Sequence, residues 1–363
     1  MKRIGNLYSK ICEKNNILKA INKASLRKKD RENVKKILSN QIYYTDLLYK
    51  TLKNKEYKPN PYREVKIQDG VRKKERIIYK PQFYPDQVIH WALMLQLEPI
   101  LLRGMYYYCC GSVKNRGILH GAKYIKKILI RDRKNTKYCL KLDVKKFYPS
   151  INKQILKHKF IKIIKCRDTL NLIDLIIDSS KEGLPIGNYT SQWLANFYLQ
   201  DLDHYIKEDL HIKYYIRYMD DMVLFHKNKK ELHKIKDKIE NFLKKEDLKL
   251  KENWQLFRTD SRPLDFLGYR FYRGYTTLRR SNCLRIRRRI KKIHKKGRIN
   301  IKDAGAVLSY NGWLKHSNSY NYTQKYIKPY ISINKCKEVI KNERGKQYKT
   351  REKIWNRKYK WRW

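Results

Sequence analysis

Three carboxylates in apolar surroundings are the residues of this sequence best suited to chemistry. Asp143 ends the run Leu-Lys-Leu-Asp, and Asp220 and Asp221 lie within Tyr-Met-Asp-Asp-Met-Val-Leu-Phe. A buried carboxylate is costly unless a partner neutralises its charge. Mg²⁺ is usually held by one or two carboxylates with substrate phosphates, and two such ions stabilise the attacking and leaving oxygens of a phosphoryl transfer. Either setting alone also fits a strand end or a polar turn, but together they predict a site for two Mg²⁺ ions, with Mn²⁺ as a substitute.

The elements around these acids must bring them into one cleft. Residues 138–144 have the alternating pattern of a strand, and residues 212–226 have that of two short strands joined by a tight turn at 219–221. The same kind of reading predicts helices over 1–55, a hairpin over 65–78, a helix over 87–97, a loop-rich basic segment over 102–135, helices over 191–206 and 229–245, a strand over 264–271, and helices from 280 to about 340.

The charge of the chain calls for a polyanionic partner. Its 363 residues include 87 Lys and Arg against 34 Asp and Glu, which gives a net charge of +53. Self-repulsion of this size destabilises the compact state unless an anion such as nucleic acid binds. The thirty Tyr and seven Trp argue against simple disorder and suit stacking with bases. Composition alone fits a ribosomal-type binder equally well and does not predict catalysis.

Cysteine usage and hydropathy predict the cellular compartment of the protein. The seven Cys have neither disulfide-framework nor zinc-finger spacing, which favours a reducing compartment. The sequence has no apolar stretch near the ~18 residues of a membrane span and no recognisable signal peptide. We therefore expect a cytoplasmic protein without a membrane partner.

The acid-bearing segments resemble the catalytic boxes of reverse transcriptases. Tyr218-Met219-Asp220-Asp221 resembles their Tyr-x-Asp-Asp box, and Asp143 with Phe147-Tyr148 resembles their first catalytic box. The resemblance implies an RNA-directed DNA polymerase, a nucleotidyltransferase whose metal ligands are the three acids and in which Tyr148 excludes ribonucleotides. The resemblance covers about residues 60 to 340. It includes the segment Phe266, Leu267, Gly268 and Tyr269, which is similar to the primer grip of these enzymes.

The loop between the two acid boxes resembles one subgroup of this family. Its sequence, Gly-Leu-Pro-Ile-Gly-Asn-Tyr-Thr-Ser-Gln over residues 183–192, is similar to that of diversity-generating retroelement enzymes, as is the segment over 308–320. The subgroup copies a template RNA into cDNA with errors mainly at template adenines, and acts with a small, basic, oligomeric accessory protein. The resemblance implies a nucleotide pocket lined by Ile186, Gly187, Ser191 and Gln192.

Basic residues before the first acid box also resemble residues of reverse transcriptases. Arg76 resembles the arginine that contacts the incoming triphosphate, and Lys74 is a second candidate for that role. Lys114 and Arg116 are candidates for contact with the nucleic-acid backbone. Many relatives place a lysine, the proposed general acid for pyrophosphate release, before the primer grip. Here Trp254 and Gln255 stand where that lysine is expected, although Lys249 and Lys251 are nearby, so we assign no general acid.

The expected fold class is α/β (α+β), a right-hand polymerase. The predicted regions are a basic helical N-terminal extension over 1–55, fingers over 56–135, a ferredoxin-like palm over 136–279 with the carboxylates and the primer grip, a helical thumb over 280–345, and a basic aromatic tail over 346–363.

Several alternatives remain beside the diversity-generating enzyme. The chain could be a group II intron-like, retron or antiphage-defence reverse transcriptase, or a catalytically silent RNA-binding protein on the same fold. The expected partners are template RNA, the cDNA or primer, and dNTPs. The excess of positive charge further predicts a structured RNA held in a stable ribonucleoprotein. The resemblance implies a gene carried by a prokaryote, a phage or another mobile element.

Overall fold

The structure is a computed structural model that describes residues 3–69 and 74–343, without the side chains of Asp69 and Lys74. The tail predicted over 346–363 lies outside the described residues. In chain order the helices are α1 (Leu7–Cys12), α2 (Lys14–Ala24), α3 (Glu32–Ser39), α4 (Gln41–Lys53), α5 (Val88–Gly104), α6 (Ile118–Arg131), α7 (Phe147–Ser150), α8 (Lys153–Ile163), α9 (Arg167–Asp178), α10 (Tyr189–Tyr198), α11 (Gln200–His204), α12 (Lys229–Lys245), α13 (Arg280–Lys295), α14 (Ile301–Lys315) and α15 (Tyr320–Tyr326). The strands are β1 (Arg63–Asp69), β2 (Lys74–Lys80), β3 (Tyr138–Asp143), β4 (Tyr214–Tyr218), β5 (Asp221–His226), β6 (Gln255–Arg258), β7 (Leu264–Phe266), β8 (Tyr269–Phe271) and β9 (Thr276–Leu278). Residues 333–343 are also helical.

The chain divides into two compact units. The first comprises residues 1–121 and 134–258, and the second comprises residues 122–133 and 259–363. This division falls at 258/259, earlier in the chain than the palm–thumb boundary expected at 279/280, and it assigns most of α6 to the second unit. The functional boundaries of fingers, palm and thumb stay predictions.

An antiparallel sheet in the order β4-β5-β3-β6 is the centre of the first unit. The apolar side chains of β3 and β5 are fully buried, and α12 packs on both strands. Residues 229–245 form α12 because their apolar residues recur at helical spacing, which buries Leu232, Ile239 and Leu243 on one face. Asn228 caps this helix, since its side chain accepts a hydrogen bond from the Lys230 amide.

The N-terminal helices pack around α5 in the same unit. This helix has apolar residues on every side, and Val88, Ala92 and Leu97 are fully buried. Such a helix is stable only when other elements pack against all of its faces. Helices α1, α2 and α10 contact it directly. Strands β1 and β2 form a separate antiparallel hairpin in which Ile67 pairs with Arg76.

The second unit combines a small sheet with the C-terminal helices. Strands β7, β8 and β9 form an antiparallel sheet in that order. Helix α13 begins where the sequence predicts a helix, and it buries Ile286, Ile290 and Ile293 while the rest of the helix is rich in Arg and Lys. Gly297 follows the helix with φ of 67°, a conformation that glycine adopts without strain.

One sequence-based prediction of local structure holds only in part, and a second is wrong. The segment expected to be loop-rich over 102–135 is irregular from 105 to 117, but residues 118–131 form the fourteen-residue helix α6, whose apolar residues are separated by lysines. The strand predicted over 264–271 is two strands, because Leu267 and Gly268 both have positive φ and reverse the chain between β7 and β8.

No helix of the described chain is both long enough and apolar enough to cross a membrane.

Candidate active site

The sheet register brings the acid-bearing segments together. Asp143, the last residue of β3, pairs directly with Asp221, the first residue of β5. Directly opposed residues of an antiparallel pair extend from the same face of a sheet. Asp220 lies in the turn between β4 and β5, and Met219 before it has φ of 55°. The sharp turn therefore presents Asp220 beside the end of β3.

Two lysines pair with Asp143 and Asp221 in this structure. Lys251 Nζ contacts Asp143 Oδ2, and the Lys251 amide donates a hydrogen bond of 2.8 Å to the Asp143 carbonyl. Lys141 Nζ lies 3.3 Å from Asp221 Oδ2. Lys251 is close in sequence to the position where relatives place a general acid, but its sequence position alone predicts no role for it. Its position depends on the bridge between Val144 and Leu250, a long-range pairing that sequence spacing does not reveal.

Burial and the neighbouring charge of Asp143 raise the pKa of Asp220 to about 7. Two acids that approach each other in a partly dry site favour a proton or a cation between them. A divalent ion provides that positive charge at neutral pH.

The residues present fit a metal ion. Asp143 Oδ1 is buried and receives no hydrogen bond from the described residues, which is the state expected of a free ligand atom. No three His, Cys, Asp or Glu side chains in the described ranges already form a metal-binding group, however. Asp143 pairs with Asp221 in the sheet and influences the pKa of Asp220, so all three acids lie at one place. Their role as metal ligands stays a prediction.

A buried arginine holds the turn that carries Asp220. The Arg217 guanidinium is fully buried and donates hydrogen bonds to both carboxylate oxygens of Asp203. Its Nη1 also donates to the Met219 carbonyl at 2.9 Å and to Asn196 Oδ1 at 3.0 Å. The turn is therefore anchored to α10 and α11 by one planar side chain, which suits the fixed fork of arginine donors. Sequence reasoning missed this network because its members come from three elements.

The predicted gate residue Tyr148 lies next to the same acids. Burial and the charge of Asp220 raise the pKa of its hydroxyl, so the hydroxyl stays neutral. The Tyr148 carbonyl accepts a hydrogen bond of 2.9 Å from the Leu184 amide. Gly183 has φ of +40°, and a Cβ there would lie 2.2 Å from the Tyr148 carbonyl oxygen. The loop over 183–187 is thus docked on the backbone of the gate residue.

The other predicted nucleotide-binding residues lie along this loop and the hairpin. Gly187 has φ of +122° and approaches β2, where a Cβ would lie 2.8 Å from the Tyr79 carbonyl oxygen. The Ile186 carbonyl accepts from the Tyr79 amide at 2.8 Å. Gly187 therefore packs closely against the hairpin strand, and its contact with a nucleotide stays a prediction. The remaining predicted positions differ in exposure: half-buried Ile186, buried Ser191, and exposed Gln192 and Arg76. The Lys74 side chain lies outside the described residues.

The predicted primer grip and backbone contacts are in two different units. In the second unit Phe266 and Tyr269 are core residues, so only the Leu267-Gly268 turn is available to a primer. In the first unit Lys114 is exposed, whereas Arg116 donates to the Tyr106 carbonyl and stacks over the Tyr107 ring. Contact with nucleic acid stays a prediction for all of them.

Comparison with known proteins gives a family match over the same segment. The model of the family described as reverse transcriptase (RNA-dependent DNA polymerase) matches residues 68–271, which is more than half of the chain. The retron Ec73 reverse transcriptase of Escherichia coli is 28% identical over 162 residues, covering 41% of this chain and 48% of that relative. The chain thus matches about half the length of this curated relative.

Solved telomerase structures are also similar. Apo telomerase from Candida tropicalis, truncated from its C-terminal domain, aligns with a TM-score of 0.46 and 14% identity over 63% of this chain and 58% of that one. Telomerase from Candida albicans in complex with a fragment of telomeric RNA aligns with a TM-score of 0.46 and 12% identity over 75% of this chain and 55% of that one.

Proposed function

The chain belongs to the reverse transcriptase (RNA-dependent DNA polymerase) family, and we propose that it extends a primer with dNTPs along a template RNA. The observation that carries this proposal is the meeting of Asp143 and Asp220 beside the half-buried Tyr148. A silent RNA-binding protein would gain nothing from two acids whose proximity raises a pKa. The mixed helix and sheet architecture agrees with the right-hand polymerase fold of this family.

The reaction is attack of the primer 3′-hydroxyl on the dNTP α-phosphate with loss of pyrophosphate. Mg²⁺ held by Asp143 and Asp220, and by Asp221 if it turns from Lys141, would polarise the hydroxyl and the phosphate, and Mn²⁺ could substitute. Arg76 supplies a planar guanidinium for the triphosphate. In this proposal the Tyr148 ring, which lies beside Asp220, would exclude the ribose 2′-hydroxyl of a ribonucleotide. Positioning and charge stabilisation provide most of the rate enhancement in such transfers.

The variant Asp220→Asn tests this assignment by primer extension on RNA. We expect a loss of at least about a hundredfold in rate, because the amide cannot replace a charged ligand, with the fold retained by circular dichroism. Asp178→Asn is the matched control, since Asp178 pairs with Lys157 on the surface of the same unit. Near wild-type synthesis by Asp220→Asn would refute the role of this carboxylate.

Two subfamilies are candidates for the biological role. The Ile186-Gly187 and Ser191-Gln192 pairs favour a diversity-generating retroelement enzyme that is error-prone at template adenines. The retron relative favours the retron alternative. An aliphatic Ile186 cannot hydrogen-bond to a template or incoming base, which would weaken the penalty on mispairs. Sequencing of cDNA made on an adenine-rich template decides between them: errors concentrated at adenines support the first, and uniform fidelity removes it.

The net charge of +53 supports a lasting RNA partner. A polymerase channel needs about a dozen phosphate contacts, each of which releases counterions, so the remaining positive charge suits a structured RNA in a ribonucleoprotein. A small, basic accessory protein is expected as a partner only if the chain is a diversity-generating retroelement enzyme. The proposal assigns the protein to the cytoplasm of a prokaryotic host. Purification without RNA at physiological salt would refute the ribonucleoprotein.

A further inference from the structure

The turn between β7 and β8 has a backbone conformation that its own sequence does not favour. Phe266 pairs with Tyr269, so Leu267 and Gly268 form a two-residue turn, with φ of 54° and 83°. Positive φ at both positions is typical of tight hairpins, but it is unfavourable for a residue with a side chain such as Leu267. Both turn residues are half-buried, whereas Phe266 and Tyr269 are buried in the small sheet. The turn therefore depends on contacts from outside the hairpin to keep one conformation.

The start of α13 supplies these contacts through one carbonyl group. The Gly268 carbonyl accepts a hydrogen bond of 3.0 Å from the Arg279 amide and one of 3.1 Å from Asn282 Nδ2. Two donors use both lone pairs of this oxygen. The approach is close, because a Cβ at Gly268 would lie 3.0 Å from Asn282 Nδ2. The two hydrogen bonds fix the orientation of the peptide group that ends the turn.

Both donors are themselves held within the second unit. The Arg279 guanidinium contacts Asp265 Oδ1 through Nε at 2.6 Å and through Nη2 at 2.5 Å. Asn282 Oδ1 accepts a hydrogen bond of 3.2 Å from Arg285 Nη2, which directs Asn282 Nδ2 toward the turn. Arg285 lies over the Trp313 ring, 5.5 Å from its centroid. The Asn282 amide is thus fixed at its oxygen and at its nitrogen.

We propose that Asn282 is a positioning residue for primer extension, which acts through the Leu267-Gly268 turn and does not itself contact the substrate. This turn is the part of the predicted primer grip that is available to a primer, because Phe266 and Tyr269 are core residues. A turn without its donor would hold the primer end in a less defined position, and a displacement of about 1 Å can cost about a hundredfold in rate. Asn282 therefore affects the rate of attack on the dNTP more than the affinity for the primer–template hybrid. The inference rests on the proposed function, since it assigns a residue that orients the primer for that reaction.

Two variants remove the Asn282 donor in different ways. Asn282→Asp keeps the shape of the side chain and places an acceptor against the Gly268 carbonyl, while a carboxylate in the first turn of α13 favours the helix. Asn282→Ala removes the side chain without adding charge, and Asn282→Gln retains an amide donor. Asn318→Ala is the matched control, because Asn318 Oδ1 accepts a hydrogen bond of 2.9 Å from the Thr276 amide of the same sheet, on a strand other than those that form the turn.

Single-turnover incorporation of one dNTP measures the rate constant separately from the fraction of active enzyme. We expect the rate constant to fall about tenfold in Asn282→Asp and Asn282→Ala, to stay within about threefold of wild type in Asn282→Gln, and to stay within about twofold in Asn318→Ala. The dissociation constant of the hybrid should change less than about twofold in Asn282→Ala. A rate constant near the wild-type value in Asn282→Ala, or a loss confined to Asn282→Asp, would overturn the proposal.

Photocrosslinking tests the same turn without catalysis. A DNA primer that ends in a dideoxy 4-thiothymidine is annealed to a template RNA, irradiated in complex with the full chain, and located by peptide mapping. We expect a crosslink within residues 264–271 of the wild type, with a yield at least about threefold lower in Asn282→Ala and unchanged in Asn318→Ala. No crosslink to this segment in the wild type, or equal yields in the three proteins, would overturn the inference. A wild type that gives this crosslink but incorporates no dNTP would instead refute the proposed function, while the placement of the primer end by this turn would stand.

Discussion

The geometry of Asp220 depends on a residue that does no chemistry itself. Arg217 joins the Met219 carbonyl to Asp203 and Asn196. Arg217, Asp203 and Asn196 are fully buried, and Met219 is half-buried. The left-handed conformation of Met219 is unfavourable for a residue with a side chain. A fixed donor on its carbonyl offsets that cost, and thereby holds the acid in place.

Removal of this arginine should affect stability and activity separately. Arg217→Met leaves the buried Asp203 without its cationic partner, although the Tyr215 hydroxyl still donates to it at 2.8 Å. The uncompensated charge should cost about 3–5 kcal/mol in urea unfolding. The double variant Arg217→Met/Asp203→Asn should regain much of that stability, because the uncompensated charge is gone. It should not regain primer extension, since the Met219 carbonyl still lacks its donor.

Lys159→Met is the control for general destabilisation. Lys159 is 7% exposed and pairs with Asp201 and Glu246, away from the turn. Its replacement should lower stability with little change in kcat at a temperature where the protein is folded. Full recovery of kcat by the double variant would contradict a positioning role for Arg217.

At the scale of elements, the loop before α10 sets the position of the gate residue. Gly183→Ala would bring a Cβ within 2.5 Å of the Tyr148 and Pro149 carbonyl oxygens at a φ of +40°. The strain alone should cost at least about 1 kcal/mol, and the displaced Tyr148 should discriminate less well against ribonucleotides. Single-nucleotide incorporation of dNTP against rNTP measures this. Gly117→Ala is the control, because a Cβ there meets nothing within 4 Å; unchanged discrimination in Gly183→Ala would count against the docking of this loop on the gate.

The buried His90 of α5 should make the free energy of unfolding depend on pH. Burial lowers the pKa of His90 to about 4, so His90 stays neutral in the native state and becomes protonated on unfolding below its ordinary value. The unfolded state then binds more protons, and stability falls as the pH drops from about 6.5 toward 4. Between pH 7 and pH 5 the wild type should lose about 2 kcal/mol that His90→Gln does not lose. Urea unfolding measures the difference, with exposed His158→Gln as control; equal losses in wild type and His90→Gln would contradict it.

Local patterns predicted the elements that carry the acids. The bounds of α12 match the expected 229–245, and β3, β4 and β5 fall within the expected segments, because strict apolar periodicity decides such elements. The sequence could not indicate that Lys251 reaches Asp143 or that Gly187 lies against Tyr79. Those contacts depend on pairing between distant segments. Phe266 and Tyr269 matched a motif, but their burial in a small sheet follows from the turn at Leu267-Gly268.

At the scale of the whole molecule, the three clustered acids and the large positive charge indicate different parts of the function. The acids suggest a reaction, and the positive charge suggests a nucleic-acid partner. The net charge of +53 indicates a polyanionic partner but does not identify which polyanion binds. The approach of Asp143 and Asp220 supports the proposal that a primer paired with this polyanion is extended by phosphoryl transfer.

The most direct test of the account is single-nucleotide incorporation by the full chain on a defined RNA template with a DNA primer. In the presence of Mg²⁺ we expect rapid addition of the dNTP complementary to the template base, and none after chelation of divalent ions. Incorporation that ignores the template base, or no incorporation with either Mg²⁺ or Mn²⁺, would contradict RNA-directed DNA synthesis by this protein.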